Sequence, residues 1–217
     1  FRNAINAWIE QLDGEWPTWV VGNHDFPRVA SRWGDSDERA RLLPFIQCGL
    51  RGTPFLYYGD EIGMREGRPA RSELRDPPGR KFWPFYRGRD GCRTPMPWTD
   101  GTSAGFSTGM PWLPITTGRS VAAQTAETSI RGTWKRMLAL RRDNVALREG
   151  DQGRVVNAGS VLRWTRAGGG KAVAVVVNMG GRTASHPYIG PVLLSTHGGG
   201  SKPGEVRAYE AVVVDVG

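Results

Sequence analysis

Residues 19–25, which read WVVGNHD, decide the fold. Their first three side chains form a short apolar run that predicts a buried β-strand, and the glycine after them ends it. Residues 55–58, FLYY, predict a second buried strand. Apolar residues with helical spacing precede the first strand, over residues 2–11, and separate the two strands, over residues 35–50. This order of helix, strand, helix and strand, with short connections, is typical of parallel βα units.

The region after the second strand is unusually long. Residues 63–127 are rich in Gly, Pro, Arg and Trp, and loops of this length in compact domains are usually functional or disordered. The aromatic content favours an ordered loop. Helical spacing returns over residues 128–143, and Pro44 predicts a kink or a late start in the helix over residues 35–50.

From about residue 150 the pattern becomes β-rich. Helical spacing stops, and short apolar runs are separated by glycine-rich turns. The predicted strands are 155–156, 161–164, 172–178, 192–194 and 212–216. The sequence therefore predicts an α/β domain over residues 1–149, followed by a small antiparallel β-sandwich over residues 150–217.

The composition argues against several classes of function. The net charge is +8, but the excess is scattered arginine without a basic run that could follow a phosphate backbone, so nucleic acid is not an expected partner. No run of about 18 apolar residues is present, so no membrane partner is expected either. The histidines and the two cysteines lack metal-type spacing, and we expect no metal and no cofactor. The nine tryptophans fit a carbohydrate site or an aromatic core equally well.

His24 and Asp25 place a polar donor and a carboxylate directly after the first predicted strand. In a parallel α/β barrel the C-terminal ends of the strands face the active site, which makes this pair a functional candidate. The alternative is structural, with Asp25 capping the next segment and His24 buried and hydrogen-bonded. Arg89 and Arg93, in the long loop, could hold sugar hydroxyls, pin a carboxylate, or act as salt-bridged loop staples.

Three long strings carry a resemblance to a known family. WVVGNHD is followed by ARLLPFIQCGLRGTPFLYYGDEIGM at residues 40–64 and by DPPGRKFWPFYRGRDGCRTPMPW at residues 76–98. The chain resembles the α-amylase superfamily (glycoside hydrolase family 13), in its α-glucosidase and oligo-1,6-glucosidase branch. This resemblance implies the last two βα units of a (β/α)8 barrel followed by the family's C-terminal β-sandwich. It also implies retaining hydrolysis of an α-glucosidic bond.

The resemblance assigns roles to individual residues. Asp25 matches the aspartate of the family's NHD signature, which binds sugar hydroxyls and stabilises the transition state. The resemblance also implies that six other residues contact the substrate: Asn23, His24, Phe26, Arg28, Arg89 and Arg93. Of these, the histidine bonds the same sugar as Asp25, and one of the two loop arginines recognises the non-reducing-end glucose. The phenylalanine and the arginine that follow NHD line the subsite of the next sugar.

The chain departs from the family pattern in one respect that decides activity. A retaining glycosidase needs a nucleophile and a general acid, and in this family both precede NHD, the nucleophile in a G-F-R-x-D motif that is absent here. Asp60 and Glu61 follow the second strand and could approach Asp25, but the resemblance implies a structural role for this position. We therefore expect the C-terminal part of a longer α-glucosidase, inactive by itself on an α-linked oligosaccharide or disaccharide.

Two alternatives stay open. One is a glucosyltransferase or a sucrose- or trehalose-type isomerase of the same family, which the residues near Phe26 and the 63–115 loop would determine. The other is a non-catalytic homologue that acts as a binding or partner module. The cytoplasm is the expected location, because Cys48 and Cys92 give no sign of a disulfide framework and favour a reduced compartment. A targeting segment upstream of residue 1 would not be visible in this sequence.

Overall fold

The computed structural model describes residues 2–12, 14–116, 118–199 and 201–217. Its contacts divide the chain into two compact units. The first unit contains the residues up to Trp19, Arg41–Phe55 and Thr133–Gly217, and the second contains Val20–Ala40 and Leu56–Gly132. This division differs from the predicted boundary between residues 149 and 150, because the β-rich region packs with earlier helical segments in the first unit. The predicted boundary stays a prediction.

Helices and strands alternate near the start of the chain, and strands dominate after residue 150. The helices that the structure describes are α1 (Arg2–Gln11), α2 (Val29–Arg32), α3 (Asp37–Ala40), α4 (Leu43–Gly49), α5 (Pro77–Lys81), α6 (Ile130–Asp143) and α7 (Val145–Arg148). The strands are β1 (Thr18–Val20), β2 (Thr53–Phe55), β3 (Asp151–Gln152), β4 (Val156–Ala158), β5 (Val161–Gly168), β6 (Lys171–Asn178), β7 (Ala184–Ser185), β8 (Val192–Ser195), β9 (Glu205–Val206) and β10 (Ala211–Asp215). Single turns of 3-10 helix occur at Asp60–Ile62, Arg71–Glu73, Asp90–Arg93 and Thr102–Gly105.

The predicted helix over residues 35–50 is two helices, α3 and α4. Pro44 lies in the first turn of α4, where the missing N–H costs no helical hydrogen bond, so it marks a late start as predicted. Gln47 of α4 is buried and donates from Nε2 to the carbonyl oxygens of Trp19, at 2.9 Å, and of Phe55. These two bonds attach α4 to β1 and β2.

The first predicted strand is β1. The second was predicted over residues 55–58, but β2 shares only Phe55 with that range, and β1 and β2 pair with each other. The prediction that they are buried is wrong, because in each strand only the central residue is half-buried. Among the described residues no third strand joins this pair. Tyr57 and Tyr58 leave the strand and donate from their hydroxyls to the carbonyl oxygens of Cys92, at 3.1 Å, and Thr94, at 2.8 Å.

The β-rich region forms a six-stranded antiparallel sheet in the order β3-β5-β6-β10-β8, with β4 also paired to β5. A smaller antiparallel sheet, β7-β9, packs on one face of it. The apolar cluster between them contains Val161, Val176, Val206, Val212 and Val214, with Ala184 and Tyr188 at its edge. Predicted antiparallel structure after residue 150 is thus confirmed, and the strands that were not predicted are only two residues long.

The opposite face of the large sheet carries Trp164 and Arg166. Trp164 donates from Nε1 to the carbonyl oxygen of Gly49 at 3.0 Å, and Arg166 donates to the same oxygen at 3.1 Å and to that of Gly150 at 2.8 Å. A side chain at Gly49 would press on Trp164 and Val175, so glycine lets α4 approach the sheet closely. Burial lowers the pKa of Arg166 to about 9.

The second unit has little regular structure. Its apolar cluster consists of Ile62, Met64 and Met96, packed against Val121. Many of its other connections are hydrogen bonds from arginine side chains, among them those that build the site. Of the helices that the structure describes, none combines the length and the apolar character needed to cross a membrane.

Candidate active site

Asp25 lies in the turn that follows β1. The Asn23 side chain fixes this turn, since its Oδ1 accepts hydrogen bonds from the backbone N–H groups of Asp25, at 2.9 Å, and Phe26, at 3.2 Å. Gly22 opens the turn, and a side chain there would collide with the Asp60 carboxylate. His24 and Phe26 are left with largely exposed side chains.

Three side chains converge on the Asp25 carboxylate. Arg89 Nη1 donates to Oδ1 at 2.9 Å, and Arg93 Nη2 donates to the same oxygen at 3.3 Å. His24 Nε2 lies 3.5 Å from Oδ2. The structure therefore brings together the GNHD turn and the GRDGCR loop, although Asp25 and Arg89 are 64 positions apart in the sequence. The Asp25 side chain remains 44% exposed, so its second oxygen can meet a ligand.

The surrounding charges decide what Asp25 can do chemically. The hydrogen bond from Arg89, with the electrostatic attraction of His24, Arg89 and Arg93, holds the pKa of Asp25 below its ordinary value. The carboxylate is therefore ionised at neutral pH and is a poor proton donor. It can accept hydrogen bonds from hydroxyl groups and stabilise a positive charge that develops beside it.

The turn and the loop are also tied together through backbone atoms. Arg93 Nε donates to the carbonyl oxygen of His24 at 2.9 Å, and Cys92 Sγ contacts the same oxygen at 3.3 Å. Cys92 Sγ also lies 3.1 Å from the carbonyl oxygen of Arg89. Burial raises the pKa of Cys92 to about 11, so it acts as a neutral thiol donor.

Behind Arg89 lies a buried carboxylate, Asp76. Its Oδ1 accepts from Arg89 Nη2 at 2.8 Å, and its Oδ2 accepts from Arg89 Nε at 3.2 Å and from the Arg89 backbone N–H at 2.9 Å. The hydrogen bond from Arg89 lowers the pKa of Asp76, and the pKa of Arg89 is raised in return. Arg89 thus bridges two carboxylates, one buried and one exposed.

Arg93 also lines an open pocket of about 390 Å³. Three exposed aromatic side chains form part of its wall, Trp98, Phe106 and Trp112, and Glu61 adds a carboxylate. Aromatic faces beside a few polar groups suit a sugar ring. Within the described ranges, no cluster of three or more His, Cys, Asp or Glu side chains is arranged to hold a metal ion.

Comparison with known proteins places the chain in a family. The family model described as "Alpha amylase, catalytic domain" matches residues 1–150. The chain belongs to the α-amylase family. A probable α-glucosidase of Rhizobium meliloti (strain 1021) is 39% identical over 178 residues, which cover 78% of this chain and 32% of the relative.

Two further α-amylase-family relatives extend the comparison. An oligo-1,6-glucosidase of Parageobacillus thermoglucosidasius is 29% identical over 210 residues, covering 84% of this chain and 37% of the relative. The crystal structure of the trehalulose synthase MutB from Pseudomonas mesoacidophila MX-45 superimposes with a TM-score of 0.87 at 25% identity, covering 100% of this chain and 46% of that one. The chain thus spans less than half the length of these relatives.

One residue of this α-amylase-family site does not fit its predicted role. The resemblance implied that Arg28 lines the subsite of a second sugar, but its side chain is buried, with 1% of the residue exposed. Its Nη1 donates to the carbonyl oxygen of Tyr58, and its guanidinium lies 4.4 Å from the centre of the Tyr58 ring and 4.9 Å from that of Tyr57. Arg28 therefore packs against the rings of Tyr57 and Tyr58 in the interior and is not placed to contact a substrate.

The two carboxylates after β2 take separate positions in the α-amylase-family fold. Asp60 is 4% exposed beside Gly22, and burial raises its pKa to about 7. Glu61 instead lines the aromatic pocket. Among the residues that the structure describes, the side chains paired with the Asp25 carboxylate are His24, Arg89 and Arg93. The structure therefore gives no support to a substitute pair of reacting carboxylates at Asp60 and Glu61.

Sequence reasoning missed Asp76 and Asp90, both buried in this site. Asp76 precedes Pro77 and Pro78 at the start of α5, and that position predicts a helix cap, but its side chain makes no cap bond and turns to Arg89. Asp90 Oδ2 accepts from the backbone N–H groups of Arg75, at 2.6 Å, and Asp76, at 2.8 Å. The only sequence signal was that both aspartates lie in the string at residues 76–98.

Proposed function

We propose that this chain is the C-terminal part of a retaining α-glucosidase that hydrolyses α-linked oligosaccharides or disaccharides. The observation that carries the proposal is the exposed, ionised Asp25 carboxylate, held by Arg89 and Arg93 in an α-amylase-family chain. Support for the substrate comes from the relatives, which are named as a probable α-glucosidase and an oligo-1,6-glucosidase.

In the proposed mechanism Asp25 binds and stabilises, and it does not transfer a proton. Its Oδ2, on the side of His24, accepts hydrogen bonds from glucose hydroxyls, and its charge favours an oxocarbenium-like transition state. His24 donates to the same sugar, and Arg93 contributes to recognition of the non-reducing-end glucose. Phe26, with 61% of the residue exposed, offers an apolar face to the neighbouring sugar. Asn23 acts indirectly, by holding the turn.

The remaining chemistry belongs to other polypeptide in this proposal. Retaining hydrolysis needs a nucleophile and a general acid with carboxyl groups about 5–5.5 Å apart. Asp76 cannot be one of them because it is buried and engaged with Arg89. We assign residues 1–149 to the last two βα units of a (β/α)8 barrel and residues 150–217 to its C-terminal β-sandwich. The two reacting carboxylates then lie on upstream barrel strands.

The test is an Asp25→Asn substitution in the protein encoded by the complete gene. We expect kcat on p-nitrophenyl α-glucoside to fall by about 10²–10³-fold, because the substitution removes transition-state charge stabilisation. Asp143→Asn is the matched control, since Asp143 is an exposed carboxylate that also pairs with an arginine, Arg142. An Asp25→Asn enzyme as fast as the wild type would refute the assigned role. The 217-residue chain by itself should show no turnover.

A second reaction is favoured by one comparison. One of the proteins that superimpose on the whole chain is named a trehalulose synthase, and sucrose is named as the substrate of one MutB variant. Incubating the complete protein with sucrose and separating the products distinguishes the two reactions. Equal amounts of free glucose and fructose support hydrolysis, whereas a new disaccharide supports isomerisation.

A further inference from the structure

We infer that Asp76 is a positioning residue for this site. It holds Arg89 so that only one guanidinium nitrogen, Nη1, reaches Asp25, which leaves the second oxygen of Asp25 open for a sugar hydroxyl. This inference rests on the proposed function and adds to it a residue that acts through Arg89.

The geometry of Arg89 carries the inference. One edge of the guanidinium, formed by Nε and Nη2, faces the two oxygens of Asp76 at 3.2 and 2.8 Å. The opposite nitrogen, Nη1, donates to Asp25 Oδ1 at 2.9 Å. An arginine fork that is free would pair with an exposed carboxylate through two parallel bonds. Because Asp76 occupies that edge, Arg89 makes a single bond to Asp25.

The position of Asp76 is itself fixed by the backbone. Asp90 Oδ2 accepts from the N–H groups of Arg75 and Asp76, and Asp76 Oδ2 accepts from the N–H of Arg89. The two loop segments therefore hold each other reciprocally. Gly88 has a φ of 75°, and a side chain there would lie 2.7 Å from Asp76 Oδ2, so only glycine allows the approach.

The two carboxylates that share Arg89 differ in their exposure to solvent. The Asp76 side chain is 1% exposed, that of Arg89 is 36% exposed and that of Asp25 is 44% exposed. Asp76 therefore cannot meet a substrate itself, and its effect on the reaction has to pass through Arg89. In its absence Arg89 is free to turn its fork onto both oxygens of Asp25 and to compete with the hydroxyl groups of the substrate.

The kinetic test is Asp76→Asn in the complete protein, assayed with p-nitrophenyl α-glucoside. The substituted side chain would present an amide nitrogen to the arginine donors and would release the fork. We expect KM to rise by about tenfold, because the competing bond is charge-assisted, while kcat changes less than about threefold. A role in folding alone would lower kcat through loss of active protein and leave KM unchanged, and that result would overturn the inference.

A double variant tests whether the effect passes through Arg89. Lysine cannot form the two-pronged pair, so in an Arg89→Lys background Asp76→Asn should change KM by less than about threefold. If the two substitutions instead multiply, Asp76 acts by another route and the inference is wrong. Asp143→Asn, far from these contacts in sequence and exposed, should leave both constants unchanged.

A third readout is independent of activity. The Arg89 Nε–H group donates to a buried carboxylate, so its ¹H–¹⁵N NMR signal should be protected from solvent exchange in the wild type and lose that protection in Asp76→Asn. An unprotected wild-type signal would overturn the inference even if the enzyme is active. If the wild type shows the protected signal but no α-glucosidase activity, the proposed function fails and the positioning of Arg89 stands.

Discussion

In the first unit, valines of β5, β6, β9 and β10 meet in one apolar cluster, and Trp164 packs on the other side of the sheet. In the second unit, arginine side chains reach loop carbonyls and carboxylates, as Arg89 and Arg93 do around Asp25. Apolar burial is non-directional and scales with area, whereas each of these hydrogen bonds fixes a particular atom. In the second unit, directional hydrogen bonds therefore set the positions of the site's atoms.

The largest expected effect is in the apolar unit. Trp164→Ala should lower the free energy of unfolding by about 3–5 kcal/mol, because it leaves a cavity under the sheet and removes a hydrogen bond to the carbonyl of Gly49. Urea denaturation followed by circular dichroism measures this. Trp8→Ala is the control, since Trp8 is 55% exposed on α1 and should change stability by less than about 1 kcal/mol. Equal losses for both would contradict the contrast between buried and exposed aromatics.

The next effect concerns Glu210, a buried carboxylate in the first unit. Glu210 is fully buried, and its oxygens accept from Ser195, at 2.6 Å, from Ser201, and from Arg207, whose backbone N–H lies at 2.7 Å. Burial opposes ionisation, but these bonds outweigh it and lower the pKa of Glu210 to about 2. Glu210→Gln should cost about 1–3 kcal/mol at pH 7, because its amide faces donors.

The sign of the pH dependence follows from the lowered pKa of Glu210. Its stabilisation is present above the ordinary glutamate pKa of about 4.3 and is lost as pH falls towards about 2. The difference in unfolding free energy between wild type and Glu210→Gln should therefore shrink between about pH 5 and about pH 2. A difference that stays constant over this range would show that the carboxylate is not ionised in the fold.

In the second unit, substitution of Asp60 should raise stability instead of lowering it, by a smaller amount. Burial raises the pKa of Asp60 to about 7, so the folded protein holds a proton that the unfolded chain releases above about pH 4. This group's contribution to stability therefore falls as pH rises from about 4 to about 7. Asp60→Asn removes that dependence, and the variant should gain about 1–2 kcal/mol on the wild type as pH rises from about 4 to about 7 in urea titrations. No relative gain would contradict the buried neutral carboxyl.

The smallest effect is expected for an exposed ion pair. Arg142 Nε donates to Asp143 at 2.7 Å, but both side chains are more than 60% exposed. Asp143→Asn should leave the urea midpoint unchanged within error, because solvent screens the pair. A clear fall of the midpoint, measured in the same urea series, would contradict this expectation and show that the exposed ion pair contributes to stability.

Local patterns were enough to predict most of the regular elements. The helical spacing predicted α1 and α6, Pro44 predicted the start of α4, and the short apolar runs predicted β5, β6, β8 and β10. The strands β3, β7 and β9 could not be predicted, because two-residue strands have no alternation to detect. The burial of β1 and β2 was overestimated because an apolar run does not say how many neighbours a strand has.

The candidate site was predictable only in its exposed members. The NHD turn and the two loop arginines were found from the sequence, and the structure brings Arg89 and Arg93 onto Asp25. The predicted role of Arg28 was wrong because closeness to the turn in sequence does not tell a side chain that points into the interior from one that faces the substrate. Asp76 was missed because its partner is 13 positions away in an irregular loop, where no periodicity links the two.

The two cysteines have a practical consequence. Each compact unit contains one buried free thiol, Cys48 in α4 and Cys92 beneath the Asp25 turn, and burial raises their pKa values to about 12 and about 11. Both should resist alkylating reagents in the native protein, because the reactive thiolate is scarce and covered. Each becomes reactive only when its own surroundings open. The rate at which each cysteine is alkylated in mild urea can be followed by mass spectrometry of the two peptides. The order of the two rates would show whether the first or the second unit loses structure first.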